Sequence, residues 1–266
     1  MHLLYPKSLL RPNQPDEQFA AEVDAVRSAG LGVSIFSINT LPGGGFTPPR
    51  TLPKGEDVLY RGWMLSASEF EAFVSCLEAT GVRTVVSVKD YLATHYLSNW
   101  YPHIKDLTPE TRIYPTDCDL QAELRPLNWP EYFIKDYVKS LKTSLGSRIS
   151  NLELVPKLIA EMRHFRGDIE GGFCVRRVEP FLPDTEKRYF VIDRKPHAAS
   201  GEVPPIVCEC ANRLTARFYS VDIAQRSDRE LRIVEVGDGQ VSDLVGWTPE
   251  AFAKMLAEHF GKETEA

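Results

Sequence analysis

The stretch Phe218–Gln240, FYSVDIAQRSDRELRIVEVGDGQ, decides the reading of the fold. Two runs rich in β-branched and aromatic residues, RFYSVDIA and LRIVEV, flank a polar segment, which is the pattern of a β-hairpin. With Ser227–Glu230 as a four-residue loop, Asp222 falls directly opposite Glu235. Their Cβ atoms would then stand about 5 Å apart, where like charges destabilise a sheet. A divalent cation offsets such repulsion, and magnesium favours one or two protein carboxylates together with phosphate oxygens and water. Asp238, freed to turn back by Gly237 and Gly239, is placed to supply a third oxygen. A register shifted by one residue would instead send one acid to the opposite face.

Upstream of the hairpin stands a cluster of cations, Lys135, Lys139, Lys142 and Arg148, opposed locally only by Asp136. Lys135 lies inside the apolar run YFIKDYV, where a cation is costly without an anionic partner. The loop behind it, KSLKTSLGSRISN, is rich in hydroxyls and glycine, whose donors suit phosphate oxygens. The alternative is a lysine on the solvent face of an edge strand beside a soluble turn. A lysine strand combined with a distant pair of acids is what a magnesium nucleotide requires. Between them lies CVRRVEPFLPDTEKRYFVIDRK. Glu179 precedes Pro180 at a strand end, suited to meet a nucleoside, and Glu186 and Arg188 alternate onto one face, so the guanidinium can reach a phosphate. Taken alone, RRVE and EKR also fit a solvated strand face.

Farther out, the chain divides into two halves. The first alternates strand and helix. A segment capped near Asp16 places Phe19, Val23 and Val26 at helical spacing. GVSIFSI follows as a strand, then VLYRGW. Next comes a helix from Ser66 or Ser68 with Phe70, Phe73, Val74 and Leu77 on one face, closed by Gly81, and TVVSV reads as a further strand. This is β-α-β rhythm. The glycine run at 43–45 sits among four prolines without a GK[ST] sequence behind it and reads as a surface loop. From Asn128-Trp129-Pro130 onward strands outnumber helices, so this half reads as α+β. It includes a helix with Val155, Leu158, Ile159 and Met162 on one face, a short helix in PPIVCECANRLT and a closing helix opened by Pro249.

The 266 residues are enough for one or two domains with a sizeable core. Lysine and arginine number 31 against 37 acids, a net charge of −6 that argues against broad binding to a nucleic-acid backbone. No apolar run is long enough to cross a bilayer, and the first residues lack a signal-peptide core, so a cytoplasmic protein without membrane or nucleic-acid partners is expected. The five scattered cysteines form no CxxC pair and read as inert thiols.

The order of these elements resembles the ATP-grasp superfamily. More narrowly, YFIKDYVKSLKT, VRRVEPF, EKRYFVIDRK and VDIA…RIVEVGDGQ resemble a divergent clade. It contains the eukaryotic cell division cycle protein that assists assembly of a translation initiation factor, together with bacterial and phage relatives. LYRGWML, YLATHYLSNWYPHI and TPET are similar to the N-terminal region of those bacterial relatives. The resemblance implies a Rossmann-like pre-ATP-grasp domain over 1–127, followed by an ATP-grasp domain over 128–266, thus an α/β part and an α+β part. It implies that Lys135 and Lys142, with Lys139 as the weaker loop lysine, bind phosphate, and that Glu179 belongs to the nucleotide hinge. Arg188 would contact a phosphate or acyl phosphate, with Lys142 beside it in catalysis, and Asp222 and Glu235 would hold magnesium. Gly237 stands where the family motif usually has asparagine, which leaves Asp238 to compensate. The activity implied is an ATP-dependent ligase that joins a carboxylate to an amine or related nucleophile through an acyl phosphate. The alternative is an ATP-binding assembly factor that holds a partner protein without making a bond. Residues 61–65, His95 and Trp100 are candidates for the substrate side, with an aromatic core the alternative for Trp63 and Trp100.

Overall fold

The computed structural model describes residues 1–11, 13–37, 48–49, 52–140, 145–166 and 169–261. Along the chain come β1 (His2–Pro6), α1 (Ala20–Ser28), β2 (Gly32–Phe36), β3 (Asp57–Tyr60), α2 (Ala67–Glu78), β4 (Arg83–Thr84) and α3 (Val88–His95). Then follow α4 (Leu97–Ile104), β5 (Thr111–Tyr114), α5 (Leu120–Leu124), β6 (Tyr132–Asp136), β7 (Arg148–Ile149), α6 (Val155–Arg166) and β8 (Phe173–Arg177). The last elements are β9 (Lys187–Ile192), β10 (Lys195–Ala198), α7 (Pro205–Arg213), β11 (Phe218–Gln225), β12 (Leu231–Asp238) and α8 (Pro249–Phe260). The chain forms two compact units interleaved in sequence: 1–92, 187–221 and 237–266 make the first, and 93–186 with 222–236 make the second. These units divide the chain differently from contiguous halves at 127/128. Among the described residues no helix is long and apolar enough to cross a membrane.

The first unit is built on a parallel sheet of order β2-β1-β3-β4. Its elements form where the local chemistry directs. The Asp16 carboxylate accepts the Gln18 amide ahead of α1, and Val23 and Val26 turn their apolar stripe inward. Ser66 and Glu69 form a reciprocal capping box at the start of α2, whose Phe70, Phe73, Val74 and Leu77 are all buried. Gly81, at φ +88°, takes the left-handed conformation that ends this segment. The expected strand TVVSV is cut short, because pairing stops after Thr84 and α3 begins at Val88. Ser87 explains the change: its hydroxyl accepts the Asp90 amide and its carbonyl accepts the Tyr91 amide, so a helix cap prevails over β propensity. Phe190, Phe218, Trp247, Phe252 and Leu256 complete a single core with the parallel sheet.

Arg61, directly after β3, is an internal strut of this unit and lies 1% exposed. Its Nε and Nη2 each donate to Glu22 at 2.7 Å, and its Nη1 donates to the carbonyls of Gly239 at 2.6 Å and Ser242 at 2.9 Å. The guanidinium also lies 4.6 Å from the centre of the Phe252 ring.

The second unit holds an antiparallel sheet of order β5-β8-β6-β7. Strand alternation gives its faces opposite characters. Tyr132, Ile134, Phe173 and Val175 pack with Leu120 and Leu124 of α5 and with Val155, Leu158 and Met162 of α6 in one core. The register sets Phe133 across from Arg176 and Lys135 across from Cys174, so these four share the other face. A third sheet has the order β10-β9-β11-β12, and the division between the units falls inside β11 and β12. The hairpin expected from the sequence is present, but its loop is not the four-residue one. The Arg226 amide donates to the Glu230 carbonyl and the Arg229 amide to the Arg226 carbonyl, with Arg229 at φ +72°. This is a three-residue loop with a bulge at its end. The strands leave the turn one residue out of step with the expected pairing, so the loop itself does not place Asp222 opposite Glu235. At the far end of the strands the Gly239 amide donates to the Phe218 carbonyl at 3.2 Å, which is the expected pairing. The difference of one residue is taken up by β12 between its two ends, the stretch that carries Glu235.

Candidate active-site cleft

A cleft of about 530 Å³ opens in the second unit over the Lys135 face of its sheet. Phe133, Val178, Phe181, Ala224 and Val234 supply apolar walls, and Lys135, Arg148, Arg176, Arg177, Glu179, Glu186 and Glu235 supply charge. This mixture, apolar walls with a few convergent polar groups, is that of a small-molecule site.

Lys135 is only 6% exposed. The cost of that burial is offset by Glu235, whose Oε1 accepts from the ammonium at 2.9 Å. A cation does balance Glu235 in this structure, and it is a lysine one hundred positions away. Arg176 sits deeper than the sequence suggested: one of two consecutive arginines must face inward along a strand, and it is this one, at 8% exposure. Its guanidinium donates to the Val234 carbonyl and to the Thr108 hydroxyl and lies 5.9 Å from the Trp100 ring centre. Its Nε has no hydrogen-bond partner among the described residues. Burial lowers the guanidinium's affinity for its proton, and Glu235 partly restores it.

His95 is buried close to this group, and burial, followed by the positive charges of Lys139 and Lys135, presses its pKa down to about 4. It is therefore a neutral imidazole at pH 7. Trp100 is 1% exposed and belongs to the interior of this unit. Trp63, in the first unit, is 41% exposed with its ring edge against Phe19.

The remaining candidates are distributed unevenly. Asp222 is buried in β11 within the second unit. Glu179 lines the cleft, yet its carboxylate is engaged by guanidinium groups, with Arg232 Nε at 3.2 Å and Arg226 Nη1 at 3.6 Å. Lys139 is exposed beside the Asx turn in which Asp136 accepts the amides of Val138 and Lys139. Lys142 and the glycine run at 43–45 lie outside the described residues. Arg188 and Asp238 belong to the first unit. There Arg188 donates to the Asp243 carbonyl at 2.8 Å, and the Asp238 Oδ1 accepts the amide and side chain of Gln240. Asp238 is fully buried, its Oδ2 has no hydrogen-bond partner among the described residues, and burial raises its pKa to about 8. Among the described residues, no three or more His, Cys, Asp or Glu side chains cluster to hold a metal.

Several comparisons bear on this architecture. A family model described as an ATP-grasp domain, family 3 of its clade, matches residues 118–256. No match to a curated protein is found. Among solved structures, the RimK domain ATP-grasp protein from Sphaerobacter thermophilus aligns with a TM-score of 0.65 and 15% identity over 97% of this chain and 98% of its own. D-cycloserine synthetase aligns with a TM-score of 0.62 and 13% identity over 97% and 99%. The ATP-grasp ligase PsnB, complexed with a precursor peptide and AMPPNP, aligns with a TM-score of 0.60 and 11% identity over 97% and 95%. At these identities the likeness speaks for the fold, and that fold extends across nearly the whole chain. With its family model spanning more than half of the sequence, this chain belongs to that ATP-grasp domain family.

Proposed function

We propose that this protein is an ATP-dependent ligase that activates a carboxylate as its acyl phosphate, releases ADP, and passes the acyl group to an amine or related nucleophile. The observation that carries this reading is Lys135, a cation kept 6% exposed on the wall of a 530 Å³ cleft in a chain of the ATP-grasp family. Lys135 and Arg176 are positioned to meet the negative charge that phosphoryl transfer redistributes, and such positioning and neutralisation carry most of the catalysis in this chemistry. The backbone of residues 178–182 supplies the nucleotide hinge, since the Glu179 carboxylate is held by arginines. Arg188 as a phosphate or acyl-phosphate contact, and Lys142 with Lys139 as loop ligands, rest on the motif resemblance.

Asp222 and Glu235 are hard oxygen donors of the kind magnesium takes, and they would hold it. When bound, the ion would neutralise phosphate charge. Asp238 does not fit as a third donor in this state, because it keeps a proton at neutral pH and is bonded to Gln240. That D-cycloserine synthetase and the peptide ligase share the fold supports ligase chemistry without naming the acceptor. The narrower kinship with the cell division cycle protein clade, and with it a role as an assembly factor, rests on motif order alone. A reducing, cytoplasmic setting accords with five free thiols. The test is a screen of carboxylates and amines for stimulated ADP release. Release that depends on both partners supports a ligase, whereas ATP binding with no acceptor-dependent turnover and one stoichiometric protein partner supports the assembly factor.

A further inference from the structure

The Glu179 carboxylate is the centre of a network that grips the β11–β12 hairpin. It lines both the cleft and a second cavity of about 600 Å³ and is 14% exposed. Its partners, Arg226 and Arg232, belong to the hairpin: one stands at the turn, the other in β12. Arg232 continues the connection, donating to the Asp106 carbonyl at 2.7 Å and the Thr108 carbonyl at 2.6 Å. Along the same edge the Ile233 amide donates to the Leu107 carbonyl at 2.9 Å and the Thr108 hydroxyl donates to the Ile233 carbonyl at 2.7 Å. On the other strand, the Leu182 amide donates to the Gln225 carbonyl and the Ser227 amide to the Pro180 carbonyl, each at 2.8 Å. Segments 106–108 and 179–182 therefore hold the hairpin from two sides. Two carboxylates reach both guanidinium anchors: Glu230, inside the hairpin and 54% exposed, and Glu179, which comes from outside it and is largely enclosed.

Asp222 and Glu235 ride on that hairpin. We infer that Glu179 is a positioning residue: through Arg226 and Arg232 it fixes the hairpin that carries the two acids, so that its loss is read at magnesium and not at the nucleoside. A single exposed ion pair contributes little, but a largely enclosed network sharing one carboxylate couples its members. The inference rests on the reading of Asp222 and Glu235 as magnesium ligands, and the experiment separates the two.

The experiment titrates magnesium into wild type, Glu179→Gln, Arg232→Gln and the double variant by calorimetry. The nucleotide is a non-hydrolysable ATP analogue, with inorganic tripolyphosphate run in parallel, and amide exchange is followed over residues 222–236. The expected result is a half-saturating magnesium concentration raised about threefold or more in each single variant, with no further rise in the double variant. The preference for nucleotide over tripolyphosphate should stay unchanged, the hairpin amides should exchange faster, and Glu179→Asp should partly restore both. If Glu179→Gln weakens only the nucleotide while Arg232→Gln is silent and exchange is unaltered, the carboxylate contacts the nucleoside and the inference is overturned. If wild type binds no magnesium nucleotide, the proposed function fails and the exchange data decide the clamp alone. Faster hairpin exchange in Glu179→Gln then upholds it, and unchanged exchange overturns it.

Discussion

The ion pair between Lys135 and Glu235 is unequal in burial, and that inequality predicts which half is the more costly to remove. The lysine side chain is 7% exposed and the glutamate 46%. Glu235→Gln leaves an ammonium in the sheet interior without its carboxylate. Breaking a fully buried pair in this way costs about 3–5 kcal/mol, and with one partner half in water we take about 2 kcal/mol. Lys135→Met retains an apolar stem of similar volume and leaves a glutamate that water can reach, so the loss is that of a surface pair, about 0–1 kcal/mol. Glu235→Gln should therefore be the less stable variant by about 1–2 kcal/mol. Urea denaturation at neutral pH without nucleotide, followed by circular dichroism, reads the difference. A hairpin whose two acids faced each other uncompensated would give the opposite sign, with Glu235→Gln stabilising. That outcome, or a larger loss in Lys135→Met, would refute the reasoning.

Two more expectations concern the first unit. Asp238 has a folded pKa raised to about 8 by burial, so the native state keeps a proton that the unfolded chain releases near its ordinary value of about 4. The stability this provides is complete below that lower value and is lost as pH rises through about 8. Asp238→Asn, neutral throughout, should flatten the profile and gain on wild type between about pH 5 and pH 8, whereas parallel urea midpoints across that range would contradict a protonated Asp238. The Arg61–Glu22 pair is enclosed on both sides, with side chains 2% and 5% exposed. Glu22→Gln should cost about 3–5 kcal/mol in urea denaturation, and the paired change Glu22→Leu with Arg61→Met should recover most of it; a single-variant loss below about 1 kcal/mol would show that the pair is not uncompensated when broken.

How much of this was legible in the sequence depends on how local the governing physics is. The capped helices α1 and α2, the strand around Lys135 and the β11–β12 hairpin follow from periodicity and side chains within a few residues of one another. TVVSV misleads because a single hydroxyl, that of Ser87, caps a helix where the β-branched residues favour a strand. The hairpin's loop length turned on Arg229 adopting a left-handed conformation, which nothing in its side chain requires. The site depends on long-range pairing. That Arg176 rather than Arg177 faces inward is fixed by the register of β8 against β6, and the Lys135–Glu235 pair spans one hundred positions. Glu179 was visible as an acid at a strand end before proline, but its engagement by Arg226 and Arg232 arises only when the hairpin docks. RGWML drew attention for its arginine and tryptophan, and the arginine proved to be an internal strut of the first unit.

The central claim, that the Lys135 cleft receives a magnesium nucleotide, is tested most directly by calorimetric titration of a non-hydrolysable ATP analogue with magnesium into wild type and Lys135→Met. A charge-assisted contact to phosphate contributes about 1.5–3 kcal/mol, roughly a ten- to hundredfold change in affinity. The account predicts saturable binding to wild type and a loss of that size in Lys135→Met, with a circular dichroism spectrum that matches wild type. Equal affinity in the two proteins, or no binding to wild type, would contradict it.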